Sequence, residues 1–412
     1  MILSRVWLLA AIFLLSPMAA ASANVITDWD EKAAGFVQPR LVPPLAYRVM
    51  AMMHTAMFDA VNSIEPLYRP YKVQLPATPD TSKDAAAATA AATVLMTLLP
   101  DAASEIRTAL TSYLASLPES EAKAKGVKLG ESVAGGILEA RANDRSSAPD
   151  IYRPKTRPGV YIPTPITVAA QWPNVTPFAM TSPSQFRPEP PIPLESNQWA
   201  EDYNEIKDVG AKNSTKRSAR QTEDARFWIL TGPLSTHPLE RQIVTRKEMT
   251  VADSARLMAL ITVAEADAMI AVMDAKYTYD FWRPITAIRN GDIDENAATE
   301  RDASWQPIDN TPMHPEYPCA HCIVSSAVAS TIEAVLGTAD IPEVAMTSTT
   351  APGVTHRWTN LRAYTDEVSA ARIYAGFHYR FSTVVGQEMG RKIGAYTVNT
   401  IMQPLKATTT VR

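Results

Sequence analysis

The sequence predicts an all-α fold of helical bundles, and three observations lead to this prediction. Apolar residues recur at i, i+3 and i+4 through residues 49–61 and 251–276, which is the spacing of a helix with a buried face. The stretch 84–99 is rich in alanine, the residue with the highest helix propensity. Strict alternation of apolar and polar residues, the pattern of a half-buried strand, is scarce.

The first residues are typical of a secretory signal. Arg5 supplies a positive charge, an apolar run follows from Val6 to Leu15, and Ala21-Ser22-Ala23 gives the small-x-small cleavage pattern. The run is too short to span a bilayer. We therefore expect residues 1–23 to be a cleavable signal peptide, and the mature protein to be secreted or periplasmic without a membrane span.

The composition of the chain indicates which classes of binding partner to expect. The formal net charge is −4, and 46% of the residues are hydrophobic. A mildly acidic chain gives no reason to expect a nucleic-acid partner, so we expect a small-molecule substrate. Any site for an anion must then be a local cluster of cations.

The elements follow in order along the chain. In the N-terminal helical region, 24–145, the predicted helices lie at 49–61, 84–99, 104–117 and 120–143. The second of these helices should stop before Pro100, because proline lacks the backbone N–H that a helix interior needs.

Residues 146–199 contain twelve prolines, which exclude long helices and favour extended backbone. Such a stretch is either a linker or an ordered wrap across the helical halves. Large aromatic residues usually pack, and their presence favours the wrap. These aromatic residues are Tyr152, Tyr161, Trp172, Phe178, Phe186 and Trp199.

The C-terminal helical region, 200–412, carries the candidate chemistry in three patterns. The first is KYTYDFWRP, which contains Lys276 and Arg283. Lys276 continues the apolar stripe of its helix, where a lysine is costly unless it meets an anion or extends to the surface at the helix end. Arg283 precedes Pro284 at a helix-terminating corner, from which its guanidinium can bind an oxyanion.

The second pattern is HPEYPCAHC, from His314 to Cys322. Its prolines predict an extended approach to a helix that begins near Cys319 or Ala320. Free N–H groups at a helix start favour an anion. His321 in the first turn is placed to act as a general acid or base, or is a structural histidine.

The third pattern is RIYAGFHYRFS, with Arg372, Gly376 and His378. Six residues apart on a continuous helix, Arg372 and His378 would face different directions. We therefore predict a helix break at Gly376 that lets both side chains converge. The alternative is a surface arginine and a structural histidine.

Together the three patterns resemble the vanadium-dependent haloperoxidase and type-2 phosphatidic acid phosphatase superfamily. The signature of that superfamily is K-x6-R-P, then P-S-G-H, then S-R-x5-H. The chain has K-x6-R-P at 276–284, P-C-A-H at 318–321 and A-R-x5-H at 371–378. The helical and proline-rich regions before residue 251 resemble the larger haloperoxidase branch rather than the short phosphatases.

The resemblance implies roles for these residues. Lys276, Arg283 and Arg372 would bind the oxyanion, together with the loop at Cys319 and Ala320. His378 would bond to vanadium in a peroxidase that holds vanadate, or attack phosphorus in an acid phosphatase that needs no cofactor. His321 would be the acid–base in either enzyme.

The chain also departs from the family pattern. Cys319 and Ala320 stand where the family has serine and glycine, and a free thiol beside peroxide would be oxidised. A disulfide from Cys319 to Cys322, expected in an oxidising compartment, would remove that liability. Ser382 replaces an aspartate that many haloperoxidases place four residues after the metal-binding histidine. His314 takes a position that is histidine in bromoperoxidases, which implies a halide pocket for bromide or iodide.

Other interpretations stay open. The CAHC sequence could be a redox-active dithiol, or could form a zinc site with His314 and His356. His54 and His237 carry no pattern and are interpreted as surface or structural residues. Three functional classes remain, namely a vanadate-dependent peroxidase, an acid phosphatase and a non-catalytic phosphate-binding relative.

Overall fold

The computed structural model describes residues 24–163 and 165–405, and the fold is mostly helical, as predicted. The signal peptide expected at 1–23 lies outside these residues. In the described ranges the structure has thirteen α-helices and one antiparallel pair of strands. The helices are α1 (Val25–Val37), α2 (Pro43–Ile64), α3 (Lys83–Leu98), α4 (Ala103–Ser116), α5 (Glu121–Ala140), α6 (Asn197–Val209), α7 (Ala219–Phe227), α8 (His237–Arg246), α9 (Val251–Tyr279), α10 (Pro284–Arg289), α11 (Ala320–Leu336), α12 (Leu361–Tyr374) and α13 (Arg380–Thr400).

The helix boundaries have local causes. Side-chain oxygens of Asn24, Ser82 and Ser120 accept hydrogen bonds from the first-turn N–H groups of α1, α3 and α5. The helix α3 ends at Leu98, two residues before Pro100, as the sequence predicts. These caps set the residues at which the three helices begin.

The long helix α9 lies at the centre of the molecule. Of its 29 residues, 23 are buried. It packs against α2 on one side and against α11 and α13 on the other. One hydrophobic core therefore runs from α1–α3 through α9 into α11, and the C-terminal end of α9 carries the first candidate pattern.

The proline-rich stretch is fastened to α9. Both carboxylate oxygens of Asp267 accept backbone hydrogen bonds, at 2.7 to 2.8 Å, from the N–H groups of residues 178–180. Further along, the N–H of Trp282 donates to the carbonyl of Gly159 at 3.1 Å. The segment is thus held beside the loop that contains Arg283. Its buried aromatic side chains are Tyr161, Trp172, Phe178 and Trp199.

One element was not expected from the sequence. Strands β1 (Asp340–Ser348) and β2 (Ala351–Asn360) form an antiparallel hairpin. The Gln242 side chain of α8 bonds both the N–H and the carbonyl of Ala345 and so holds this hairpin to the helices. In the part of the chain that the structure describes, no helix is long and apolar enough to cross a membrane.

Candidate active site

A cavity of about 1150 Å³ opens where α9 and α11 meet the turn between α12 and α13. Residues from all three candidate patterns line it. They are Arg283, His314, Ala320, His321, Arg372 and His378. The structure therefore brings together residues that lie up to 95 positions apart in the sequence.

Lys276 lies behind the wall of this cavity. Its side chain is fully buried in the last turn of α9, so it does not extend to the surface. The Nζ atom donates to the carbonyls of Pro315 at 2.8 Å and Glu316 at 2.6 Å. Lys276 thus ties the His314–Cys322 loop to α9 and places a positive charge directly under the site.

Arg283 contacts both the second and the third sequence pattern. Nε donates to the carbonyl of His314 at 2.9 Å, and one terminal nitrogen donates to the carbonyl of Phe377 at 2.9 Å. The same terminal nitrogen lies 3.3 Å from Nε2 of His378, and the other lies 3.0 Å from Nδ1 of His314. One guanidinium therefore links the second and third patterns.

The second pattern enters the site through the start of α11. Cys319 caps this helix and forms a disulfide with Cys322. The N–H groups of Ala320 and His321 belong to the first turn, where the helix itself supplies no acceptor. The imidazole Nε2 of His321 lies 3.1 Å from the carbonyl of Leu230 and donates to it. The first turn of α11 can thus face an anion with two N–H groups and one imidazole.

The residues grouped as a zinc site are not brought together. His356 stacks on Phe227 with ring centroids 4.0 Å apart, and its Nδ1 bonds to Glu367. The two cysteines are joined to each other, so they offer neither a thiolate ligand nor a free dithiol.

The third pattern converges because the helix stops, as predicted. Helix α12 ends at Tyr374, and Gly376 has φ +78°, a left-handed conformation that favours glycine. A Cβ at this position would also lie 2.5 Å from the carbonyl oxygen of Gly210. The resulting turn directs Arg372 and His378 into one cavity.

A carboxylate that the sequence analysis missed contacts His378. Nδ1 of His378 lies 2.7 Å from Oε1 of Glu316, which is fully buried. Ser382, the residue in the expected aspartate position, is also buried, and its hydroxyl has no hydrogen-bond partner. Position 382 has no carboxylate, but Glu316 supplies one to His378. The glutamate in the HPEYP sequence was the signal that could have identified it.

The electrostatics of the site favour an anion. Burial lowers the pKa of Lys276 well below its usual value, and Arg283 lowers it further. Burial lowers the pKa of Arg283 to about 10 and, with repulsion from Arg283, that of Arg372 to about 9. Within residues 24–163 and 165–405 none of these three cations forms a salt bridge, and Nε of Arg372 is buried without a partner. Positive charge is in excess, which an oxyanion would relieve.

The same positive charges also act on the pKa values of the site histidines. Burial and the neighbouring cations lower the pKa of His314, His321 and His378 well below the usual range. Burial raises the pKa of Glu316 to about 7, and the charges of Lys276 and Arg283 oppose that rise. The imidazoles are therefore neutral at neutral pH, as a nitrogen ligand or a base must be.

A second buried charged cluster lies between α1, α2, α8 and α9. Oδ1 of Asp30 lies 2.8 Å from Nε2 of His54 and 2.6 Å from Nδ1 of His237. The other nitrogen of His237 lies 3.0 Å from Glu265. His54 and His237 are fully buried, so the surface interpretation was wrong and the structural one fits.

Comparison with known proteins adds the family context. Residues 256–407, which contain all three patterns, match the family model described as the VCPO second helical-bundle domain. Vanadium chloroperoxidase of Curvularia inaequalis is 34% identical over 144 residues. This match covers 29% of the present chain and spans 23% of the length of that chloroperoxidase.

Solved structures extend the likeness to nearly the whole chain. A bacterial vanadium-dependent iodoperoxidase aligns with a TM-score of 0.77 and 23% identity, over 92% of this chain and 97% of its own. A bacterial vanadium-dependent chloroperoxidase aligns with a TM-score of 0.70 and 17% identity, over 89% and 94%. At such identities the shared feature is the fold. Together with the family model, these findings confirm that the chain is related to the vanadium haloperoxidases.

Proposed function

We propose that this protein is a vanadate-dependent peroxidase that oxidises halide with peroxide after export. The observation that carries the proposal is the convergence of Arg283, Arg372, His321 and His378 on one cavity. Relationship to the haloperoxidases supports it. The disulfide between Cys319 and Cys322 supports it further, because no thiol stands beside the site for peroxide to oxidise.

The residues present fit vanadate as a cofactor. Arg283, Arg372 and the first-turn N–H groups of α11 would hold its oxygens, and Nε2 of His378 would be its protein ligand. The unpartnered Nε of Arg372 is a donor that such an anion would satisfy. When bound, vanadate supplies the Lewis acidity that activates peroxide towards a halide.

The protein groups then have separate tasks. Lys276 holds the 315–316 backbone against α9 and adds positive charge below the site. His321 keeps Nε2 on the carbonyl of Leu230, so Nδ1 is the nitrogen available to exchange protons with the cavity. His314 lines the same cavity beside Arg283, and we propose it as the halide-pocket residue, with bromide or iodide as the substrate.

One observation favours a second candidate, a secreted acid phosphatase. A cavity of about 1150 Å³ far exceeds the space that peroxide and halide need, and would admit an organic phosphate ester. In that enzyme His378 would attack phosphorus to form a phosphohistidine while His321, protonated at acid pH, gave its proton to the leaving oxygen. The neutral His321 would then take a proton from water, which would break the phosphorus–nitrogen bond and release phosphate. The same cations would hold the phosphoryl group, so vanadate would act as an inhibitor.

The test is bromide oxidation by metal-stripped mature protein, with peroxide present, before and after vanadate is added. We expect activity only after vanadate is added, with iodide oxidised as well. The paired assay measures hydrolysis of a phosphomonoester by the same preparation. Hydrolysis that vanadate inhibits, without any halide oxidation, would favour the phosphatase and contradict the proposal.

A further inference from the structure

We infer that Glu316 is the positioning residue of His378, and that positions 316 and 382 are alternative sources of one carboxylate. The ligand role of His378 rests on the proposed function, whereas the contact between Glu316 and His378 does not. An aspartate at the position of Ser382 would supply this carboxylate from the first turn of α13. In this chain it comes instead from the loop before α11.

Glu316 is held so that its carboxylate cannot turn away. Its backbone N–H donates to the carbonyl of Phe281 at 2.9 Å, and its own carbonyl accepts from Nζ of Lys276 at 2.6 Å. Oε1 also accepts from the N–H of Tyr379 at 3.2 Å. With the backbone bonded on both sides and the side chain fully buried, Oε1 is fixed at 2.7 Å from Nδ1 of His378.

This contact sets the tautomer of His378. Oε1 of Glu316 already accepts the backbone N–H of Tyr379, so it acts as an acceptor towards the imidazole as well, and the imidazole proton sits on Nδ1. Nε2 then carries the lone pair at the cavity wall, 3.3 Å from Arg283. Hydrogen bonding to a carboxylate also makes the free nitrogen a stronger ligand. A histidine without such a partner could place its proton on Nε2, and in that tautomer Nε2 has no lone pair with which to bind the cofactor.

Position 382 faces the same group. Ser382 lies in the first turn of α13 and is buried, and its carbonyl accepts from the N–H of Cys319 at 3.3 Å. Its hydroxyl is close enough to Glu316 to lower the pKa of that carboxyl, although the two oxygens fall outside hydrogen-bonding geometry. Truncation of Glu316 would vacate space that an aspartate at 382 can occupy.

The experiment compares Glu316→Ala, Glu316→Gln and the double variant Glu316→Ala/Ser382→Asp. The first readout is the tautomer of His378 without vanadate, from ¹⁵N chemical shifts of histidine-labelled protein. The chain has six histidines, and a His378→Ala spectrum identifies the signal. We expect protonated Nδ1 in the wild type, in Glu316→Gln and in the double variant, and loss of that preference in Glu316→Ala.

The second readout is vanadate affinity by calorimetry. We expect Glu316→Ala to weaken binding about 10- to 100-fold and Ser382→Asp to restore most of it. The matched control is Glu367→Gln, which alters a carboxylate 2.6 Å from Nδ1 of another histidine, His356, and should change neither readout.

The outcomes separate the two proposals. An unchanged His378 tautomer in Glu316→Ala would overturn the positioning role, as would a folded double variant that restores neither readout. If the wild type binds no vanadate, the proposed function fails, yet the tautomer still decides the role of Glu316. Should Glu316→Ala not fold, Glu316→Gln decides, because a Gln variant that lost the Nδ1–H tautomer would contradict the hydrogen-bond geometry.

Discussion

The protein buries two charged clusters that differ in how their charges are balanced. Around Asp30 most charged groups bond one another, since Oδ1 bonds two histidines and Oδ2 lies 2.7 Å from Arg241, although the buried carboxyl of Glu240 has no hydrogen-bond partner. Around Arg283 three cations form no salt bridge among the described residues, and the nearby carboxylate, Glu316, bonds His378 instead. The charged groups of the first cluster do not line the large cavity, whereas Arg283 and Arg372 of the second cluster do.

The causes of the pKa shifts also differ between the two clusters. Burial alone would raise the pKa of Asp30, but His237 and His54 lower it well below its usual value. Burial would lower the pKa of His237, but Asp30, Glu240 and Glu265 raise it well above the usual range. In the candidate active site burial and repulsion from the neighbouring arginines together lower the pKa values of Lys276 and Arg372. A buried cluster whose charges pair with one another is destabilised when one partner is removed, whereas buried charge without a partner is available for a ligand.

The largest effect that would separate the two clusters is loss of activity in His378→Ala. Removal of the ligand or nucleophile should lower turnover at least about 1000-fold. The assay is bromide oxidation with vanadate, or ester hydrolysis if the protein proves to be a phosphatase. Circular dichroism verifies folding of the variant, and full turnover by a folded variant would contradict the site assignment.

The second effect concerns stability in the balanced cluster. Asp30→Asn keeps the size of the side chain but removes the charge that pairs with His237 and Arg241. We expect the free energy of unfolding to fall by about 3 to 5 kcal/mol, because partner charges are left buried and unpaired. Urea denaturation measures this fall. A loss below about 1 kcal/mol would mean that the cluster is not balanced by Asp30.

A smaller effect sharpens the contrast at Arg372. Arg372→Met removes a buried charge whose Nε has no partner. Vanadate affinity should fall by about 10- to 100-fold, the equivalent of one charge-assisted hydrogen-bond pair. The free energy of unfolding without vanadate should stay unchanged or rise by up to about 2 kcal/mol, because a desolvated cation is lost. A clear loss of stability would show that the fold already neutralises this charge.

The smallest effect is a slope of stability against pH. The pKa of His321 is lowered in the folded protein, so between pH 6.5 and this lowered folded pKa the unfolded chain binds a proton there that the folded chain does not. Stability must therefore fall as pH falls through this window. His321→Gln should flatten the slope by up to about 1.4 kcal/mol per pH unit. Urea denaturation of vanadate-free protein at several pH values measures it, and an unchanged slope would contradict the lowered pKa.

His237 offers the opposite sign. Because its folded pKa is raised, its contribution is present below pH 6.5 and is lost as pH rises through the folded value. His237→Gln should therefore remove a decline of stability on the alkaline side. This sign reversal between two buried histidines is a direct test of the comparison.

Much of the fold could be predicted because its signals are local. Periodicity located the helices around 49–61 and 251–276, and Pro100 and Gly376 marked two of the helix ends. The hairpin 340–360 escaped prediction because Pro342 and Glu343 interrupt the alternation in its first strand. A strand whose pairing depends on a neighbour has only a weak signal of its own.

The site residues that could be predicted from the sequence are those that belong to local motifs. The three patterns named the residues of the cavity wall, and family likeness supplied their roles. Glu316 was missed because the resemblance placed the expected carboxylate at position 382 instead. The cluster of Asp30, His54, His237 and Glu265 was missed because its members lie on four helices, and no local spacing joins them.

The burial of α9 implies that the segment matched by the family model is smaller than the unit that folds. The family match begins at residue 256, yet 23 of the 29 residues of α9 are buried, and α2 covers one side of it. A fragment starting near residue 251 would expose a helix that is apolar on nearly every face. The N-terminal helices are therefore needed to cover α9. Mutations in α2 can inactivate the site even though α2 contains none of the three sequence patterns.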